Sequence, residues 1–421
     1  MAKKQGKKFK FSDIGAIIDD IAKKKDIIIE DTSDDYEYVS TGVYILNACM
    51  SSDIYGGLRR DVITVFAGPE SSGKTFLALN AIREAQADDY YIVYIDTENS
   101  ISRKSLLNFG VKNGVDDLKL LKTNKVEEIN MALTQILDKL KEVRNNGDEL
   151  PKIMIVLDSL AQMASNKEKE DLVSGKMKQD MTKAKAIGSF FRSITMDLAL
   201  LKIPLIVNNQ TYQTMDLFPQ EVMKGGRSLY YSASNITFLS KAKLKTGEED
   251  DNDFQSGIIV TAKAIKNRQA KPKKVKFEID FGKGCNPYVG LDMFLIPKFY
   301  EQIGVSKGKF VKYDKPKEVV DKITGEVYLR EGEMKDTGNR YYIRHLDKYV
   351  FKKQLFTSEV FTKEVLDAIQ PIAKAYFSYS SLDEIEEYNK QFEGEMDDNY
   401  TYADVDEMDD LSSADFFDDE D

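Results

Sequence analysis

The sequence predicts an α/β fold with a mostly parallel central sheet, and three observations carry that prediction. Between about residues 40 and 290, short Val/Ile-rich runs ("DVITVFAG", "YYIVYID", "KIMIVLDSL", "IPLIVNNQ", "GIIVTAKAIK") are interleaved with helical stretches. Strands apolar on both faces and joined by helical crossovers belong to a parallel sheet covered on both sides. The first run leads into "GPESSGKT" and then the helical "FLALNAIREAQ", the strand–loop–helix order of a phosphate loop. The second and third runs end in carboxylates, at the edge where open α/β sheets bind their ligands. The later strands are expected to form a mixed edge.

The 421 residues divide, in order, into four expected parts. Residues 1–35 are a basic arm followed by a short helix, which Ser12 would cap and whose Ile14, Ile17, Ile18 and Ile21 recur at helical spacing. That helix has one apolar face and needs either its own core or a neighbouring subunit. Residues 36–290 form the sheet-containing core, and 291–382 a smaller mixed domain with a hairpin signal in "DKITGEVYLREGE" and a helical "SEVFTKEVLDAIQPIAKAYF". Residues 383–421 are an acidic tail with little to pack, expected to be disordered.

Charge separates the body from the tail. The net charge is −11, but residues 383–421 hold eighteen Asp or Glu against one Lys, a net of −17, so residues 1–382 carry +6. A mildly basic body suits a polyanionic partner, and the tail either competes for that surface or only solvates the end. The two cysteines, Cys49 and Cys285, have no metal-ligand spacing and read as buried thiols. The lone His345 cannot form a metal cluster or a Ser/His/Asp triad and reads as a polar surface residue. No apolar run is long enough to span a bilayer, and the chain is expected in the cytoplasm, that of the host if it is phage-encoded.

The nucleotide site follows from strand ends. Gly68 and Gly73 let the loop Gly68, Pro69, Glu70, Ser71, Ser72, Gly73 curl so that backbone N–H groups face phosphate oxygens. Lys74 would reach the β- and γ-phosphates of ATP, and Thr75 would give its hydroxyl to Mg²⁺. Glu98, just past the second strand, could orient a water toward the γ-phosphate; Asp158 ends the third strand in the manner of a Walker B carboxylate and would help to hold Mg²⁺. Either carboxylate could instead cap a helix. Asn209 and Gln210 end the fourth run, where an amide could sense the γ-phosphate.

Two segments leave the sheet where a substrate would sit. In "ASNKEKEDLVSGKMKQDMTKAKAIGSFFR", Lys176 and Lys183 would share a helix face. In "TYQTMDLFPQEVMKGGRSLYYSA", Tyr212 and Phe218 accompany Lys224, Arg227 and the pair Gly225 and Gly226. Cations for phosphate, planar side chains for bases and glycines for close approach suit single-stranded nucleic acid; mobile surface loops are the plainer alternative. Finally, Lys266 and Arg268 sit two apart on a strand-like run, hence on one side. They could reach a neighbour's ATP as an arginine finger does, or form a solvated basic patch.

Taken in order, "GPESSGKT", "YIDTENS", "IVLDSLAQMASNKE", "KQDMTKAKAIGSFFR", "NNQTYQT", "VMKGGRSLYYSA" and "FGKGCNPYVGLDMF" resemble the blocks of the RecA recombinase family, and among its members the UvsX-type recombinases of T4-like phages. The resemblance is specific over about residues 35–300. It implies a RecA-type P-loop NTPase core, and an ATP-dependent protein that forms a filament on single-stranded DNA, pairs it with homologous duplex DNA and binds ATP between subunits. It further implies Glu98 as the catalytic glutamate, Gln210 as the γ-phosphate sensor, and Lys266 with Arg268 as cations acting in trans. The segments around Lys176 and Gly225 match the two DNA-binding loops, the N-terminal helix a subunit-docking end, and the acidic tail a regulatory end. A recombination mediator and a single-strand-binding protein would be its partners. Gln210 is the RecA-like residue where the UvsX pattern has histidine, and Ser105 stands where the family commonly places an adenine-stacking tyrosine. A ring-forming replicative helicase shares the sheet and the post-strand glutamate but usually carries a separate helical N-terminal domain, and a small-molecule kinase would need an acceptor pocket and lid.

Overall fold

The computed structural model describes Ile18 and residues 36–168, 182–215, 219–225, 227–244, 256–320 and 327–379. Of the residues expected to form an N-terminal helix only Ile18 is among them, helical and 53% exposed. The acidic tail lies outside the described residues.

A small antiparallel pair, β1 (Tyr38–Val39) and β2 (Leu58–Arg59), brackets α1 (Tyr44–Ser51). The large sheet then takes β3 (Ile63–Gly68), β4 (Tyr91–Asp96), β5 (Leu118–Lys122), β6 (Ile153–Asp158), β7 (Leu205–Gln213), β8 (Glu221–Met223), β9 (Asn235–Lys243), β10 (Gly257–Asn267), β11 (Lys274–Asp280) and β12 (Gly284–Cys285). Their order is β12-β11-β10-β9-β3-β7-β6-β4-β5, with β8 pairing only to β7. From β9 to β5 every pairing is parallel, and β10, β11 and β12 add an antiparallel edge. This is the mostly parallel sheet with a mixed edge that the apolar runs imply.

Between the strands lie α2 (Lys74–Ala87), α3 (Arg103–Asn108), α4 (Val126–Asn145), α5 (Thr182–Leu200) and α6 (Arg227–Ser232). All six residues of β3 and of β6 are buried, because helices cover both faces. Ile63, Val65, Ile155 and Leu157 pack on one face with α4 and α5, while Phe66 and Val156 pack on the other with Leu77 and Leu79 of α2. α4 shows why it docks: Val126, Ile129, Leu133 and Leu137 form one buried stripe, and Glu127 and Glu128 in its first turn with Arg144 in its last complement the helix dipole.

Two of the six parallel strands, β5 and β9, fall outside the five apolar runs. β5 buries only Leu118 fully, since an edge strand has one covered side. β9 begins with the buried polar residues Asn235 and Thr237 and gains strand character from its neighbours β3 and β10.

The C-terminal part contains α7 (Tyr300–Ile303), β13 (Val305–Lys307), β14 (Lys309–Val320), β15 (Val327–Lys335), β16 (Arg340–Ile343), β17 (Lys348–Phe351), α8 (Lys352–Leu355) and α9 (Lys363–Phe377). β14 and β15 form the expected hairpin, and the expected helix starts at Lys363 because Thr362 accepts the N–H of Val365 as its cap. Ile369, Ala373 and Phe377 of α9 enter the same core cluster as Ile45 and Phe277, so packing is continuous from the sheet into this part. Cys49 is buried and Cys285 only half-buried, and burial pushes both thiols up to about 12. Exposed His345 bonds the Glu359 carbonyl at 2.8 Å.

The junction holds a titrating lysine. Lys273 lies 3.6 Å from the ring centroid of Tyr376 on α9, and burial, aided by the like charge of Lys271, lowers its pKa to about 8. An unfolded lysine titrates near ~10.4, so between about pH 8 and ~10.4 the unfolded chain holds more protons than the folded one and stability rises with pH. Below about pH 8 the cost of burying the charge is fully present. Lys273→Met should therefore flatten the rise in melting temperature between pH 8 and 10; a slope identical to the parent's would show that Lys273 does not titrate there.

Candidate functional site

β3 ends at Gly68 and α2 begins at Lys74, so the intervening turn reverses the chain in five residues with Ser71 (φ 58°) and Gly73 (φ 95°) in the left-handed region. A Cβ on Gly68 would lie 2.3 Å from the backbone oxygen of Leu239, leaving no room for any side chain. Pro69, Glu70 and Ser71 are exposed on the loop, whereas Ser72 is fully buried. No side chain caps the N-terminus of α2, so its first N–H groups are available to an anion. The Lys74 ammonium donates to the carbonyls of Gly68 (2.8 Å) and Pro69 (2.7 Å). Burial lowers its pKa, against the opposing pull of Asp158, Glu98 and Glu70.

Sequence reasoning missed Lys241. Its Nζ donates to the Glu70 carbonyl at 3.0 Å, adding a second cation to the phosphate loop. No local signal marks it, because only the pairing of β9 with β3 brings that strand beside the loop.

The carboxylates converge as their strand ends imply. Asp96 and Asp158 are register partners on β4 and β6, and Asp158 is beside Asn208 of β7. Oδ2 of Asp158 accepts from the Thr75 hydroxyl (2.7 Å) and from Tyr94 (2.8 Å), whose phenol is pushed up chiefly by burial. Glu98 is exposed, and its Oε1 accepts from the Ser159 hydroxyl. Asp96, missed in the sequence, builds the turn that presents Glu98: it accepts the N–H groups of Glu98 (3.2 Å), Ser100 (3.2 Å) and Ile101 (3.0 Å). An Asp closing a strand before a tight turn was the available signal. The peptide between Asp158 and Ser159 is cis, and Thr97 brackets it, donating to the Ser159 carbonyl (2.7 Å) and accepting its N–H (2.9 Å).

β7 extends past the nucleotide edge into a hairpin with β8, in which Thr211 pairs with Met223 and Gln213 with Glu221. At its base Lys224 donates its N–H to the Gln210 carbonyl and its ammonium to Gln210 Oε1, both at 3.0 Å, and accepts from the Asn209 amide at 2.6 Å. Gly225 has φ 94°, and a Cβ there would meet Leu160 at 2.9 Å. Tyr212 is half-exposed, and Arg227 opens α6. Lys183 lies in the first turn of α5 and pairs with Glu168 at 3.9 Å. Lys176, Phe218 and Gly226 lie outside the described residues.

The strand argument for Lys266 and Arg268 needs correction. β10 ends at Asn267, so two-residue alternation does not carry from Lys266 to Arg268. The Lys266 ammonium turns onto α6, donating to the carbonyls of Tyr230 (2.6 Å) and Tyr231 (3.4 Å), while Arg268 is exposed. Burial, with Arg268 second, lowers the Lys266 pKa to about 8. Ser105 occupies a capping box, accepting the Ser102 N–H at 2.8 Å and donating to the Ser102 carbonyl at 2.8 Å.

These residues fit a Mg²⁺–nucleotide. The loop offers two ammonium groups and a helix N-terminus to an anion, and the Ser72 hydroxyl is buried beside it with no partner among the described residues. Thr75 and Asp158 supply oxygen donors, and no group of three or more His, Cys, Asp or Glu able to hold a metal occurs among the described residues. A hard cation taking one carboxylate, one hydroxyl and phosphate oxygens matches Mg²⁺ practice. No helix among the described residues is long and apolar enough to cross a membrane.

Comparison with known proteins agrees with this geometry. The family pattern for the RecA N-terminal domain matches residues 14–286. The chain is 32% identical over 302 residues to a recombination and repair protein of Enterobacteria phage T4, covering 70% of this chain and 71% of that protein. It is 30% identical over 259 residues to Protein RecA of Mycoplasmopsis pulmonis, covering 60% and 70% respectively. Protein RecA of Cutibacterium acnes is 30% identical over 319 residues, covering 70% of this chain and 85% of that one. Since the matched span takes in the whole phosphate pocket and ends just past the last strand of the large sheet, the chain belongs to the RecA family.

Proposed function

We propose that the chain is an ATP-dependent strand-exchange protein that forms a filament on single-stranded DNA, pairs it with homologous duplex and hydrolyses ATP. The observation that carries this reading is the continuity of β7. One strand passes from the nucleotide edge into the hairpin that holds Tyr212 and Lys224, and Gln210 at the crossing is bonded to Lys224. A group that senses phosphate at Gln210 therefore moves the base of the DNA loop through one side chain.

In this reading Gly68 to Gly73 wrap the phosphates, and Lys74 exchanges its two loop carbonyls for phosphate oxygens. Mg²⁺, held by Thr75 and Asp158, would neutralise charge on the phosphates when bound with ATP. Glu98, oriented by Ser159, takes the proton of the attacking water. Lys183, Tyr212, Lys224, Gly225 and Arg227, with Lys176, Phe218 and Gly226, contact DNA, and Lys266 and Arg268 complete the pocket of the neighbouring subunit. Residues 36–290 carry these activities, the segment before them docks subunits, and the tail after residue 382 regulates access of DNA. The protein works in the cytoplasm, the host's if it is phage-encoded, with a mediator and a single-strand-binding protein as partners.

The test is ATP turnover with and without single-stranded DNA, together with electron microscopy in an ATP analogue. Stimulation by DNA and helical filaments are expected. Turnover indifferent to DNA would remove the DNA-loop assignment, and closed six-membered rings would favour a helicase.

A further inference from the structure

Asn208 on β7 is fully buried, and neither Oδ1 nor Nδ2 of its carboxamide has a hydrogen-bond partner among the described residues. Alternation along the strand fixes its side. Ile206 packs in the cluster beneath α2, and Leu205 and Val207 pack in the opposite one, so Asn208 faces α2. The register sets it between Phe66 of β3 and Asp158 of β6. Both neighbours face the same way: Phe66 belongs to the α2 cluster, and the Asp158 carboxylate meets Thr75 of α2. Adjacent strands lie about 4.8 Å apart, which makes the amide a close neighbour of that carboxylate, yet the two are not bonded.

Packing does not ask for an amide here. An aliphatic side chain would fill the same place without a desolvation penalty, whereas a buried carboxamide with both groups unpaired bears it in full. The adjacent Asn209 shows the ordinary arrangement, its amide donating to the Lys224 carbonyl and its oxygen accepting the Gln210 N–H. An unsatisfied buried group calls for an explanation, and an ion or water that enters with a ligand is one that fits a carboxamide beside Asp158. Both donors to Asp158 Oδ2 are side chains, Thr75 and Tyr94.

We propose that Asn208 is a positioning residue of the Mg²⁺–nucleotide site, its Nδ2 pairing with the Asp158 carboxylate and its Oδ1 with the hydration shell of the ion. The inference rests on reading the pocket as a Mg²⁺–nucleotide site. Asn208 acts through Asp158: it fixes the orientation of the carboxylate, as outer-shell partners of metal ligands do.

The experiment measures binding of a fluorescent, non-hydrolysable ATP analogue across a Mg²⁺ titration, with the melting temperature of each protein taken without nucleotide. Asn208→Leu removes the buried polar pair and should melt at or above the parent temperature, while the Mg²⁺ needed for half-maximal analogue binding rises roughly tenfold, the low end for outer-shell partners. Asn208→Ser keeps a donor and an acceptor and should fall between. A melting gain with an unchanged Mg²⁺ midpoint would mean that Asn208 only packs, and would overturn the proposal. If Asn208→Leu does not fold, the midpoint of Asn208→Ser decides in the same way. A parent protein whose analogue binding ignores Mg²⁺ altogether would overturn the nucleotide-site reading itself, an outcome visible without any variant.

Discussion

Glu98→Gln should lower DNA-stimulated ATP turnover by about 10²- to 10⁴-fold, the usual contribution of a positioned general base, while nucleotide affinity stays within a few-fold. The reason is geometric. Glu98 is exposed at the end of β4, on a turn that the buried Asp96 carboxylate ties down through three backbone N–H groups, and the Ser159 hydroxyl orients its side chain. Glutamine preserves the shape and can still accept from Ser159, so the turn and the phosphate loop stay in place. Only the ability to take a proton is removed. Turnover and analogue binding measured side by side check this, and hydrolysis at the parent rate would rule Glu98 out as the base.

Lys266→Ala combined with Arg268→Ala should lower turnover on DNA by about 10³-fold or more, the effect of withdrawing a finger cation, and should weaken assembly on single-stranded DNA. Within one chain Lys266 holds the carbonyls of Tyr230 and Tyr231 on α6, the helix that follows the β7–β8 hairpin, so its engagement with a neighbour's phosphate would release that helix. A subunit-mixing assay separates a role in trans from local damage. Lys74→Ala subunits lack a working pocket but keep both cations; the double variant has the opposite defect. Mixed, they should recover part of the turnover, because one kind supplies the pocket and the other the cations. No recovery, or full activity of the double variant alone, would refute the role in trans.

The pocket was legible in the sequence wherever its chemistry is local. Strand, loop and helix are contiguous through "GPESSGKT", and the loop forms as its glycines require. Parallel strands align their carboxyl ends, so the turn that carries Glu98, just past Asp96, starts beside Asp158. Glu98 and Asp158 could be named without knowing the order of strands.

Residues whose part depends on a neighbouring strand or helix could not. Lys241 reaches the phosphate loop only because β9, a polar-starting strand with no clear apolar run, lies beside β3. The strand argument for Lys266 with Arg268 failed because β10 ends at Asn267, between the residues compared. Asn208 carries no signal of its own in the sequence; the sheet sets it beside Asp158, fully buried and with no hydrogen-bond partner among the described residues. The sequence by itself determined the class of fold, the phosphate loop and the strand-end carboxylates, because periodicity and motif are properties of adjacent residues. Only the tertiary structure decided which cations face the loop, which way Lys266 points and why Asn208 matters, because register and burial arise between segments far apart in the chain.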